Sequence, residues 1–175
     1  MAREEKVDLV DESDRVIGVT TVGECLSGGL LHRAVAVVVS RSDGKVLLQL
    51  RSKKDLWHPG RWTLSCTGHV RKGESYEKAA SRELEEEIGI RAALSPVKKY
   101  LMPPIRDEGM TEREWVALFS AVSDAEAMAD PVELDGVKGF TPQELRVMLD
   151  GGRLTPDAVF LLTEFLRAGA KVPEP

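Results

Sequence analysis

Cysteine is scarce in this chain of 175 residues. Cys25 and Cys66 are the two present, too few for a disulfide scaffold and without a CxxC pair that would hold a structural zinc. A reducing compartment, the cytoplasm, is the expectation. A basic surplus is missing too: 24 Lys and Arg stand against 29 Asp and Glu, a net charge of −5. A chain that tracked a nucleic-acid backbone would show the opposite balance. No nucleic-acid polymer is therefore expected as a partner, and a phosphate-bearing substrate would need a few local cations or a bound metal. Long apolar runs are absent as well. The longest, Ala34–Val39, is far too short to span a bilayer, and the N-terminus MAREEKVDLVDESD lacks an apolar signal core, so no membrane partner is expected. With 42% hydrophobic and 30% charged residues, the composition suits one domain over 1–175 with a sizeable core, and a homodimer is compatible with it.

Hydrophobic periodicity gives the order of elements. Lys6–Val10 and Arg15–Thr21 read as strands around a polar turn at Glu12–Asp14, and Gly28-Gly29 as a loop. Ala34–Val39 is a continuous β-branched run, the pattern of a strand buried on both faces. Ser42-Asp43-Gly44 is turn chemistry, Val46–Arg51 a returning strand, Ser52–Arg61 a loop and Trp62–Cys66 a further strand. From Ser75 to Ile88 the period becomes helical, with Tyr76, Ala80, Leu84 and Ile88 on one stripe and Gly89 as the stop. Val97–Met102 and Trp115–Val122 read as strands separated by a long loop through Pro103, Pro104 and Gly109; Gln143–Leu149 and Pro156–Arg167 read as helices. The sum is one α/β domain with a mixed sheet.

The chemistry concentrates between Gly68 and Ile90. Glu83, Glu86 and Glu87 share one helix face, with Glu85 beside them. Like charges at i,i+4 cost roughly 0.2–0.5 kcal/mol per pair, and negative charge near a helix C-terminus opposes the macrodipole. Three glutamates alone fit a solvated acidic face. A bound divalent cation removes both objections, and clustered carboxylates are hard oxygen ligands that favour magnesium, or manganese, over zinc.

Gly68, five residues, Glu74, seven residues, then Arg82-Glu83-Leu84-Glu85-Glu86-Glu87-Ile88-Gly89-Ile90 closely resembles the Nudix hydrolase signature, G-x5-E-x7-R-E-U-x-E-E-x-G-U with U a bulky aliphatic. Every specified position matches. The resemblance implies a Nudix-like α/β/α sandwich around a central mixed β-sheet, with the signature as a loop-helix-loop catalytic segment. It implies metal ligation by Glu83, Glu86, Glu87 and the Gly68 carbonyl, with Glu74 and Arg82 as a supporting ion pair. The reaction it implies is metal-assisted hydrolysis of a small-molecule diphosphate, a nucleoside diphosphate linked to a group X or a related compound, with Mg2+ or Mn2+ as cofactor. It leaves X undefined.

Outside the signature, Leu31-His32-Arg33-Ala34, Arg51-Ser52-Lys53-Lys54 with Pro59-Gly60, Trp62-Thr63 leading to Gly68-His69, and the pair Glu112 and Glu114 are similar to type I isopentenyl-diphosphate isomerases. That branch implies a second metal site from His32, His69, Glu112 and Glu114, and diphosphate contacts from Arg51 and a nearby lysine such as Lys54. Glu114 is expected to face the metal or the attacking water as a third catalytic carboxylate beside Glu86 and Glu87, with Glu112 alongside the histidines. The departures fall on the isomerase's own catalytic positions: Thr67 stands where its cysteine would be, Cys66 lies one residue early and so on the opposite strand face, and Met102, Asp157 and Cys25 stand at its tyrosine, shielding aromatic and third histidine. The expectation is an isomerase-like scaffold with hydrolase equipment. The alternatives are a diphosphate isomerase and a non-catalytic nucleotide-binding module.

Overall fold

The computed structural model describes residues 3–55 and 57–168. Lys6–Val10 (β1) and Val16–Thr21 (β2) form an antiparallel hairpin, and Asp14 in its turn takes a left-handed φ of 60°. Thr21 then caps a helix absent from the sequence reading, Val22–Gly28 (α1). Its side chain accepts from the Glu24 N–H, and the Glu24 carboxylate accepts from the Thr21 N–H. Gly29, read as loop, is the left-handed residue that ends this helix, at φ 60°.

His32–Ser40 (β3) is the axis of the sheet. Its side chains alternate between two cores: Ala34, Ala36 and Val38 enter one, Val35, Val37 and Val39 the other. Both faces are covered, which is why the run is apolar without interruption. Val46–Arg51 (β4) returns antiparallel. The predicted strand Trp62–Cys66 proves to be two: Trp62–Thr63 (β5) pairs with β4, and Cys66–His69 (β6) pairs with β3 from Ala34 to Val37. Ser65 sits at the break. Val39 N–H donates to Ser65 Oγ at 2.8 Å, and Ser65 Oγ–H donates to the Leu47 carbonyl at 2.5 Å. One hydroxyl thus stands in for a ladder rung where the strands part.

Tyr76–Ile88 (α2) starts at its Ser75 cap, ends at Gly89 with φ 68°, and packs Ala79, Ala80, Leu84 and Ile88 against the Val35/Val37/Val39 face. Ser95–Leu101 (β7) follows. The expected long loop contains a hairpin instead, Ile105–Asp107 (β8) with Met110–Glu112 (β9), closed by Glu108 and Gly109 at φ 44° and 79°. Glu114–Val122 (β10) runs parallel to β3 along its whole length, with Glu114 opposite His32, and antiparallel to β7. Leu134–Phe140 (β11) pairs with β4; Asp135, Gly136 and Gly139 hid it from a propensity reading. Pro142–Asp150 (α3) and Pro156–Arg167 (α4) bring Leu145, Met148, Leu161, Leu162 and Phe165 onto the Ala34/Ala36/Val38 face. The architecture is an α/β/α sandwich around a mixed sheet of nine strands among the described residues. No helix among them is long and apolar enough to cross a membrane.

Candidate active site

The face of α2 that meets the sheet is apolar except at its carboxylates. Glu87 is buried, and its Oε2 accepts from the Thr67 N–H of β6 at 3.0 Å. Glu83 lies against Gly68: a Cβ on that glycine would stand 2.2 Å from Glu83 Cδ, so only a hydrogen fits there. Glu86 is the outward member, its side chain 51% exposed. Arg82 ties the set together. It grips Glu74 through Nε (3.0 Å) and Nη2 (2.8 Å), contacts Glu83 at 2.5 Å and Glu86 at 3.2 Å through Nη1, and reaches the His69 carbonyl at 3.1 Å.

One arginine does not neutralise this much charge. Burial pushes Glu83 up to about 7, against the pull of Arg82. Burial, then the charge of Glu83, push Glu87 up to about 8, although the Thr67 N–H favours its ionised form. Buried Glu87 and half-buried Glu83, both with raised pKa, the third carboxylate Glu86 and a backbone that a Cβ would block offer hard oxygen donors of the kind a divalent cation takes. The chemistry of these donors suits magnesium or manganese, while among the described residues the ligand atoms that all lie within 4.8 Å of one another belong to a second cluster.

This second cluster lies across the same cavity, with His69 and Glu114 in its lining and His32 fully buried outside it, where chain register brings it together. His32 and Glu114 are paired residues of β3 and β10, and His69 is paired with Ala34 on β6. His32 Nε2 lies 3.3 Å and His69 Nε2 3.6 Å from Glu114 Oε1, and one ligand atom from each residue falls within 4.8 Å of the others. His32 is fully buried, its Nδ1 held by the Leu30 carbonyl at 3.0 Å, while its Nε2 makes no aligned hydrogen bond among the described residues. Burial disfavours charge on both His32 and Glu114, but contacts with the Cys25 sulfur and Glu114 hold His32 well above its usual range, and His32 holds Glu114 below its own. Burial, then the charge of His32, lower His69 to about 4. Glu112 lines the cavity outside this group of three, and burial, then Glu114, push it up. Glu114 rather than Glu112 thus stands beside the histidines.

The Nudix domain family model matches residues 30–161, spanning the helix carboxylates and both histidines. The chain belongs to the Nudix family. It is 35% identical over 162 residues to a Nudix hydrolase of Yersinia pestis, covering 93% of this chain and 86% of the relative. It is equally 35% identical over 145 residues to an isopentenyl-diphosphate Delta-isomerase of Nocardia farcinica, covering 82% of this chain and 83% of that one. Among solved structures, a Deinococcus radiodurans protein superposes with a TM-score of 0.75 at 23% identity, over 91% of this chain and 98% of its own, which speaks for the fold.

The Nudix helix carboxylates, Gly68, His69, Glu112, Glu114 and Arg51 all line one cavity of about 380 Å³. Lys54 does not. It lines a neighbouring recess with Arg3, Leu26, Met110 and Val132, because the turn after Arg51 carries it past the mouth. Arg51 is itself engaged, by Asp55 at 2.5 Å and the Trp57 carbonyl at 2.9 Å. Thr67 and Asp157 line the cavity, whereas Cys66 and Met102 are buried in the two cores. Sequence reasoning missed Arg71, Glu5, Gln49 and Thr155, which also line it. Arg71 had a signal, an arginine inside the Gly68–Glu74 loop of the signature; Glu5 had none.

Proposed function

We propose that this Nudix protein is a metal-dependent hydrolase of a small-molecule diphosphate, a nucleoside diphosphate linked to X or a related compound, with water attacking phosphorus. The observation that carries the reading is the convergence of Glu83, Glu86 and Glu87 with the Gly68 backbone on one wall of the cavity, held by Arg82. Magnesium or manganese, when bound there, supplies charge neutralisation at the diphosphate and acidifies water. Glu83, half-buried, and Glu87, buried, provide oxygens that a bound cation would hold in the ionised form. Glu86, more exposed, reaches the solvent side of the cradle and can accept a proton from water. Glu114, kept ionised by His32, is a second base on the opposite wall. The Glu74–Arg82 pair orients Glu83 and Glu86 without touching substrate.

The His32–His69–Glu114 cluster favours a second reading, a transition-metal site of the isomerase-like kind, since nitrogen and carboxylate together suit manganese or zinc. Against isomerisation itself stand Cys66, packed in the core, and Thr67 and Asp157, which offer the cavity no thiol or aromatic ring. A phosphate-release screen with magnesium over nucleoside triphosphates, nucleoside diphosphate sugars, dinucleoside polyphosphates and prenyl diphosphates tests the reading. One class should turn over, and Glu86→Gln and Glu87→Gln should each lose orders of magnitude while staying folded. Near-normal turnover in both variants sinks the site. Conversion of isopentenyl diphosphate to the dimethylallyl isomer, followed by NMR, would put the isomerase first.

A further inference from the structure

Ten carboxylates line the cavity, and among the described residues only two side chains there, Arg51 and Arg71, carry a permanent positive charge. A diphosphate entering so negative a space needs a cationic contact beyond the metal cradle. The two arginines differ in what they have left to give. Arg51 is spent on Asp55 and the Trp57 carbonyl, with its side chain 15% exposed. Arg71 is 44% exposed; its Nε donates to Glu5 at 2.7 Å, and Nη2 only approaches Glu86, at 3.5 Å. A guanidinium carries five N–H donors, so Arg71 keeps several in reserve beside the most exposed carboxylate of the cradle.

Its base is rigid. The Arg71 N–H donates to Glu74 at 3.0 Å, the Glu74 N–H to the Arg71 carbonyl at 2.9 Å, the Lys72 N–H to the Lys6 carbonyl at 2.8 Å, and the Gly73 N–H to Asp8 at 2.9 Å. Glu5, which also lines the cavity, holds the guanidinium through its Nε. A long side chain aimed this way has already lost the freedom that binding would otherwise cost.

We infer that Arg71, aimed by Glu5, is the cation that grips the substrate's diphosphate beside Glu86, an inference that rests on the diphosphate hydrolase reading above. In the absence of a divalent cation the same guanidinium lies near Glu86 and competes for it. Arg71→Ala therefore separates two readouts: the grip on a diphosphate weakens, while binding of a divalent cation alone holds or tightens. A bridge that served only the fold would spare both or weaken both.

The test is calorimetry on the full chain, with Mn2+ alone and then with methylenediphosphonate in the presence of magnesium. Arg71→Ala should weaken diphosphonate binding about tenfold or more, with Mn2+ affinity unchanged or higher. Arg71→Lys should restore part of the loss, and Glu5→Gln should fall between. Should Arg71→Ala fail to fold, Arg71→Gln, which keeps length without charge, is judged by the same criterion. Equal diphosphonate affinity in the wild type and the folded charge-removing variant overturns the role of Arg71 and leaves the hydrolase reading standing. A wild type that binds Mn2+ but no diphosphonate overturns the hydrolase reading, and this inference with it.

Discussion

Replacing Gly68 with alanine places a Cβ 2.2 Å from Glu83 Cδ and 2.5 Å from both Cγ and Oε1. Carbon atoms settle at about 3.5–4.0 Å, so the carboxyl must retreat by more than ~1 Å. It can do so, because it is the end of a flexible side chain, but it is held by Arg82 at 2.5 Å and retreat weakens that contact. A charged hydrogen bond is worth about 1.5–3 kcal/mol. Gly68 has no positive φ, so the backbone accepts alanine, and the stiffer unfolded chain returns about 0.4–1 kcal/mol. The net loss of stability should be about 1 kcal/mol, too little to unfold a domain of this size. Function should suffer far more, since misplacing a group by about 1 Å can cost ~100-fold in rate. Mn2+ titration followed by electron paramagnetic resonance should show weakened binding, and turnover on the substrate from the phosphate-release screen should fall by about that factor. Gly136→Ala is the control: nothing lies within 4 Å of its Cβ and its φ is not positive, so it should behave as wild type. Wild-type Mn2+ affinity and turnover in Gly68→Ala would refute the idea that the Gly68–Glu83 contact sets the position of the carboxylates.

In the metal-free protein, Glu83 and Glu87 sit near 7 and 8 against an ordinary 4.5. The folded state then binds more protons than the unfolded one, so stability is lost as pH rises from about 4.5 through 8. Magnesium requires the ionised carboxylates and reverses this, so its stabilising effect in melting experiments should be small at pH 6 and large at pH 8.5; equal shifts at both values would count against Glu83 and Glu87 as ligands. Ser65→Ala strips the Val39 N–H and the Leu47 carbonyl of their shared buried partner. A loss of about 2–3 kcal/mol in urea unfolding is expected, and a change within error would show that the strands close up without it. Asp14→Asn leaves Arg33 and Lys99 facing a neutral amide where a carboxylate took Arg33 Nε at 2.6 Å, Lys99 Nζ at 2.5 Å and the Tyr76 hydroxyl at 3.0 Å. Asparagine tolerates the left-handed backbone, so the cost should be electrostatic, about 2–3 kcal/mol. Burial raises the Asp14 pKa, but Lys99, Arg33 and Tyr76 outweigh it and lower the pKa, so its contribution is present above 3.8 and lost as pH falls below. A wild-type advantage that persists at pH 2 would point to geometry rather than charge.

What the chain sequence determined by itself is what local chemistry and short spacing control. The helix Tyr76–Ile88, with its serine cap, its stopping glycine and its carboxylates three and four apart, follows from a period of 3.6 residues. The buried character of His32–Ser40 follows from an unbroken apolar run. The match of Gly68 to Ile90 to the Nudix signature was legible for the same reason: it is local. Helix Val22–Gly28 left one local signal, the Thr21–Glu24 capping box, but Gly23 and Gly28 obscured it and the sequence reading missed it.

Register between strands distant in sequence belongs to the tertiary structure. His32, His69 and Glu114 meet because β10 runs parallel to β3 with Glu114 opposite His32, while β6 places His69 opposite Ala34. A shift of one residue in either pairing would send a ligand to the other face of the sheet, and nothing local in the sequence specifies that shift. The same holds for Lys54, carried to a neighbouring recess by the turn after β4, and for Glu5, which reaches Arg71 across 66 positions of chain. Local propensity determines which way a side chain points along its own strand or helix; only the packed sheet determines which other side chain it meets.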